Sequence, residues 1–100
     1  MGTLREVNES PVYQGSNETI SYAIDFADWG TPSSPACTLW QGTTNVTSTN
    51  LSGSASVTGD IVTTPAVKTL TAGSEYVMKC VVTISGNTES CWLVIRCDPY

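Results

Sequence analysis

The apolar positions cluster most densely in residues 75–97, EYVMKCVVTI, then SGN, then TESCWLVIRC. Two apolar runs flanking Gly86-Asn87 predict one long β-hairpin. With Gly86 and Asn87 as the loop, Ser85 faces Thr88, Ile84 faces Glu89, Val82 faces Cys91, Cys80 faces Leu93 and Met78 faces Ile95. Side chains alternate, so these residues share one face, apolar except at the turn. The opposite face pairs Val81 with Trp92, Lys79 with Val94 and Val77 with Arg96, and its middle is apolar too. A hairpin apolar on both faces requires a second sheet on one side and a cover on the other. That cover is either the chain's own N-terminal arm or a neighbouring subunit.

Earlier segments carry the same period of two. Residues 19–26 alternate, with Ile20, Tyr22, Ile24 and Phe26 on one face and Thr19, Ser21, Ala23 and Asp25 on the other. The stretch DWGTPSSP, residues 28–35, reads as an irregular loop, on which Trp29 either plugs the end of the sandwich or stands out as a contact residue. Residues 36–41 give a short strand with Cys37 and Leu39 on one face and Thr38 and Trp40 on the other. Residues 42–51 are polar, with one strand-like spot at Val46. Residues 54–57 and 60–63 form a second hairpin turned at Thr58-Gly59, and Pro65 ends or bulges it. Residues 1–17 are an arm or an edge strand, Pro11 being suited to an edge. About seven short strands and almost no helix predict an all-β, antiparallel β-sandwich over residues 18–100.

Composition narrows the function classes. Only 13% of the 100 residues are charged, the net charge is −5, and Ser and Thr make up about a quarter of the chain. Arg5, Lys68, Lys79 and Arg96 are scattered and offer no phosphate-tracking stripe, so nucleic acid is not an expected partner. No run has membrane-spanning length, and residues 1–15 show no apolar signal-peptide core, so folding in the cytosol is expected. With no histidine there is no imidazole base and no Ser-His-Asp or Cys-His unit. Asp25, Asp28 and Asp60 suit solvent or turn roles better than paired catalysis, and no cofactor or metal motif is present. The triplets at Asn17, Asn45 and Asn50 fit the glycosylation pattern but are expected to be silent without secretion.

Cys37, Cys80, Cys91 and Cys97 permit three two-disulfide connectivities, but cytosolic folding makes buried thiols the default. On the register above, Cys80 and Cys91 sit diagonally on one face, close but without ideal bridging geometry. Trp40 and Trp92 lie outside the core on the alternation, a placement suited to subunit packing or to stacking on sugars.

Two resemblances sharpen the picture. Residues 70–76, LTAGSEY, resemble the Leu-x-Pro-Gly-x-x-Tyr crossing of fibronectin type III and related immunoglobulin-like domains, without the proline. That resemblance implies that Tyr76 makes a tyrosine corner. The chain also resembles small immunoglobulin-like virion proteins of tailed bacteriophages. The residues that carry this are ESPVYQG at 9–15, Asp28-Trp29-Gly30, Pro32-Ser33-Ser34, LSGSASVTGD at 51–60, Leu70-Thr71-Ala72-Gly73 and Ser85-Gly86-Asn87. Its cysteines depart from that pattern, standing where apolar residues are expected.

The phage resemblance implies a non-enzymatic virion component, foremost a capsid decoration or cement protein. Its expected partners are the major capsid protein, other virion proteins or a second copy of itself. A head–tail connector or tail component is the alternative within virions, and a carbohydrate-binding module the alternative outside them. The expected interface combines Leu4, Val7, Val12 and Tyr13 of the arm, Trp29 of the loop, and Val81, Trp92 and Val94 of the hairpin's outer face.

Overall fold

The computed structural model describes residues 11–27 and 30–98. The described chain is mostly β, as the alternation predicts, and one four-residue helical turn is its single helix. In order the elements are β1 (Val12–Gly15), β2 (Ala23–Asp25), β3 (Ser33–Gln41), β4 (Thr44–Asn45), α1 (Thr47–Asn50) and β5 (Leu51–Ser52). After these come β6 (Ser56–Thr58), β7 (Ile61–Thr63), β8 (Ala66–Val67), β9 (Glu75–Ile84) and β10 (Asn87–Asp98). They form a five-stranded sheet ordered β1-β10-β9-β3-β4, a three-stranded sheet ordered β2-β7-β6, and the pair β5-β8.

The three longest strands, β3, β9 and β10, lie side by side. Their inner faces supply Leu39, Tyr76, Met78, Cys80, Val82, Ile84, Cys91, Leu93, Ile95 and Cys97 to one buried cluster. Ile24 and Phe26 close it from the β2 side, Val62 from β7 and Val67 from β8. The segment 19–26 keeps its expected facing, because Ile24 and Phe26 are buried while Ala23 and Asp25 are exposed. Only Ala23–Asp25 is regular strand, and Ile20 makes an isolated bridge to Val67.

Both hairpins differ from the expected pairing by two residues. In β9–β10, Ile84 pairs with Asn87, so the loop is Ser85-Gly86 rather than Gly86-Asn87. Ser85 and Gly86 have φ of 51° and 82°, the two successive positive values that a type I′ turn demands. The shift is even, so every residue keeps its face while every cross-strand partner changes. Val81 faces Ser90, Lys79 faces Trp92, Val77 faces Val94, and Cys80 stands directly opposite Cys91 instead of diagonal to it. In β6–β7, Thr58 pairs with Ile61, which puts Gly59-Asp60 in the loop with Gly59 at φ 61°.

Two further departures come from local polar and steric chemistry. Residues 33–35 belong to β3 instead of an irregular loop, but the register slips between Ser33 and Ala36. That bulge accommodates Ser34 at φ 50° and Pro35, which has no N–H to pair. Strand β1 is an edge strand that runs parallel to the end of β10, Val12 beside Ile95 and Gly15 beside Asp98. A side-chain amide holds it in place. Gln14 is 0% exposed; its Nε2 donates to the Glu18 and Val67 carbonyls at 3.0 and 2.7 Å. Its Oε1 accepts from the Tyr22 hydroxyl at 2.7 Å. A buried amide with donors and acceptor all engaged ties β1 to β8 and to the β2 approach.

Candidate functional site

Alternation along β3, β9 and β10 turns a second row of side chains away from the core. Trp40, Val77, Lys79, Ser90, Trp92 and Val94, with Gly42 at the rim, line an open groove of about 560 Å³ on the outer face of the five-stranded sheet. The register explains the grouping: Trp40 faces Val77, Val77 faces Val94, and Lys79 faces Trp92. Trp40 and Trp92 therefore stand diagonally across β9 with the two valines beside them. Both rings are half-buried, and the Trp40 indole N–H donates to the Thr38 hydroxyl at 3.0 Å. Lys79 is exposed and is the one cation among the groove's lining residues.

The expected interface residues are distributed unevenly around this groove. Trp92 and Val94 line it, and Val81 sits on the same outer face, half-buried between Ala36 and Ser90. Val12 packs against the core cluster from β1, whereas Tyr13 is 59% exposed on that edge strand. Leu4, Val7 and Trp29 lie outside the described residues. Trp40 joins the groove although the expected interface does not include it, because the pairing of β3 with β9 is what sets it beside Val77. Its signal was available in the alternation, since Trp40 is two residues from Thr38 and opposite in facing to Leu39.

Polar groups elsewhere are engaged in structural roles. Asp25 Oδ1 accepts the Ala27 N–H at 2.9 Å, and Asp60 Oδ1 accepts the Thr31 hydroxyl at 3.2 Å. Asp28 lies outside the described residues. Among the described residues no group of three or more His, Cys, Asp or Glu side chains has the geometry to hold a metal ion. Arg96 pairs with Glu75 directly opposite at 2.9 Å, an exposed ion pair that contributes little to stability. The Tyr22 phenol is pushed up to about 12, first by burial and then by the nearby Glu18 charge.

The backbone bond expected of the Tyr76 hydroxyl is present at residues 70–76. Tyr76 is 2% exposed, and its hydroxyl accepts the Thr71 N–H at 2.9 Å. Gly73, at φ 80°, turns the chain between the two. Asn50 steadies the preceding segment: its side-chain amide donates to the Lys68 and Thr69 carbonyls at 3.0 Å each. Those bonds clamp Thr69 at φ 52°, a conformation a β-branched residue rarely adopts.

All four cysteines are thiols. Cys37 Sγ lies 2.7 Å from Cys80 Sγ, and burial with the neighbouring carboxylate of Asp98 raises the Cys97 thiol. A search of protein-family models finds none that matches this chain, and no curated protein matches it.

Proposed function

We propose that the protein is a non-enzymatic structural component of a tailed-phage virion, a capsid decoration protein that binds neighbouring capsomers through the outer face of its five-stranded sheet. The observation that carries this reading is the groove itself: Trp40, Trp92, Val77 and Val94 face outward together on the three longest strands. Tryptophan with aliphatic neighbours on a rigid sheet is the composition of interface anchors. The virion context rests on the resemblance of residues 9–15, 51–60 and 70–73 described above. An immunoglobulin-like sandwich is part of the same proposal, supported by the Tyr76–Thr71 bond at the crossing.

Quantitative mass spectrometry of purified particles tests the role. A copy number near that of the major capsid protein supports decoration, and a number near that of the portal moves the protein to the neck or tail. Absence from particles overturns the virion reading. Trp92→Ala then tests the surface. Loss of a central aromatic anchor costs about 2 kcal/mol or more, roughly thirtyfold in affinity. Particle occupancy should fall by that order while the melting temperature of the isolated protein stays put.

A further inference from the structure

The corrected register places three cysteines in one line across the sheet. Cys37 of β3 faces Cys80 of β9, and Cys80 faces Cys91 of β10. Directly opposed residues of antiparallel strands have Cα atoms about 4.5–5.5 Å apart, inside the span that disulfides bridge. The sulfurs turn toward one another as well: Cys37 Sγ is 2.7 Å from Cys80 Sγ, and the Cys80 thiol also hydrogen-bonds with Cys91. Exposure is graded along the line. Cys80 and Cys91 are buried, while Cys37 is half-buried on a strand that has no further strand beyond it at this position among the described residues. Any of these cysteines alone is an ordinary small core residue. Three of the chain's four on a single register line, sharing a central member, make up a reactive arrangement.

We propose that Cys37, Cys80 and Cys91 form a thiol–disulfide exchange site in which Cys80 is the shared partner and a small-molecule disulfide of the glutathione class is the oxidant. Cys37, the most accessible of the three, reacts first. Its thiolate attacks one sulfur of the small disulfide, that S–S bond breaks, and one small thiolate leaves with the electron pair. Cys80 then attacks Cys37 Sγ, and its proton goes to the second small thiolate as that departs. Two protein thiols have lost two electrons to form one disulfide, and one small disulfide has become two thiols. Attack by Cys91 on Cys80 Sγ moves the bond to Cys80–Cys91 and restores the Cys37 thiol, with no net oxidation. Hydrogen bonding with Cys37 and Cys91, together with burial, pushes the Cys80 thiol far above its ordinary value, which favours initiation at Cys37. The first bond fastens β3 to the sheet, and the second fastens a hairpin that its turn already closes. The site requires only that the folded protein meet oxidising surroundings, so it stands apart from the virion reading.

Peptide mapping of the full-length protein tests it. The protein is equilibrated with reduced and oxidised glutathione, quenched in acid, alkylated and digested with trypsin without reduction. Cleavage after Lys68, Lys79 and Arg96 separates Cys37, the Cys80–Cys91 pair and Cys97 onto different peptides. The expected wild-type product has lost two hydrogens, the bond either joining the Cys37 peptide to the peptide of Cys80 and Cys91 or, after exchange, lying within the latter. Cys37→Ala lacks the accessible entry thiol and is expected to leave Cys80 and Cys91 as thiols over the exposure that oxidises the wild type, and wild-type oxidation in it overturns the proposal. Cys80→Ala is expected to stop at a glutathione adduct on Cys37. Four unmodified thiols in the wild type, a crosslink to Cys97, or a wild-type yield of crosslink in Cys80→Ala overturns the proposal. The wild-type and Cys37→Ala maps decide the matter even if Cys80→Ala fails to fold.

Discussion

Gln14 offers the sharpest test of how the edge strand is held. Its amide is fully enclosed, with Nε2 aimed at the Glu18 and Val67 carbonyls and Oε1 receiving the Tyr22 hydroxyl. Gln14→Leu forfeits three hydrogen bonds, about 3 kcal/mol at about 1 kcal/mol each. Burial of leucine returns about 2 kcal/mol. The Val67 carbonyl still accepts the Ile20 N–H at 3.0 Å, so it is not orphaned. The net cost is about 1 kcal/mol, a fall in Tm of about 4–8 °C for a domain of this size.

Gln14→Glu is nearly isosteric and far more costly. It replaces a donor with an oxygen facing two carbonyls, which removes about 2 kcal/mol of hydrogen bonding. It also buries a carboxyl near Glu18. A rise of about 3 units in the folded-state pKa, ordinary for such a site, adds about 4 kcal/mol at neutral pH. The sum, about 6 kcal/mol, rivals the whole stability of a small domain. Because the folded pKa is the raised one, this penalty is absent below the unfolded value near pH 4 and grows as pH climbs toward the folded value. Thermal melts by circular dichroism from acid to neutral pH measure both effects. If the Glu and Leu variants melt within about 2 °C of each other at neutral pH, under about half a kcal/mol, the enclosed-amide argument is refuted.

Other expectations follow from single contacts. Tyr76→Phe removes the acceptor of the Thr71 N–H and should cost about 1 kcal/mol, read from the shift of a urea midpoint; no shift would mean the corner is decorative. Tyr22 has a raised folded-state pKa, so its share of stability is full below pH 10 and is lost as pH rises toward about 12; Tyr22→Phe should flatten that alkaline decline in melting temperature. Ser85→Asn should add about 0.5 kcal/mol of stability, read as a higher urea midpoint with an unchanged slope, because asparagine tolerates the left-handed conformation that Ser85 adopts in the type I′ turn.

The facing of residues was legible from sequence, and their partners were not. Alternation along residues 75–97 and 19–26 assigned Met78, Cys80, Val82, Leu93, Ile95, Ile24 and Phe26 to the core, where they lie. Hydrophobic parity cannot distinguish a register from one displaced by two residues, and both hairpins were displaced by that amount. The deciding information sits in the turn backbone, where Ser85 takes a positive φ that a reader reserves for Gly or Asn. That slip hid the cysteine line, since Cys80 and Cys91 become opposed only in the true pairing. The groove was half legible: Trp92 and Val94 followed from the hairpin, but Trp40 joined them only once β3 was paired with β9. The parallel pairing of β1 with β10 is accompanied by the Gln14 amide bond to Val67, a long-range polar contact that no local pattern announces.

The bulge at Ser34-Pro35 has a consequence for how this molecule keeps company. Sheets grow by adding strands at open edges, and a protein crowded beside many copies of itself is exposed to that route. Among the described residues no strand flanks the first half of β3 on its outer side, and that stretch holds a proline with no N–H beside a residue twisted to positive φ. An incoming strand would find the ladder interrupted where it must nucleate. Strand addition at this one edge is thereby disfavoured, and the proposed association would fall instead to the tryptophan-lined face, which accepts only a complementary shape.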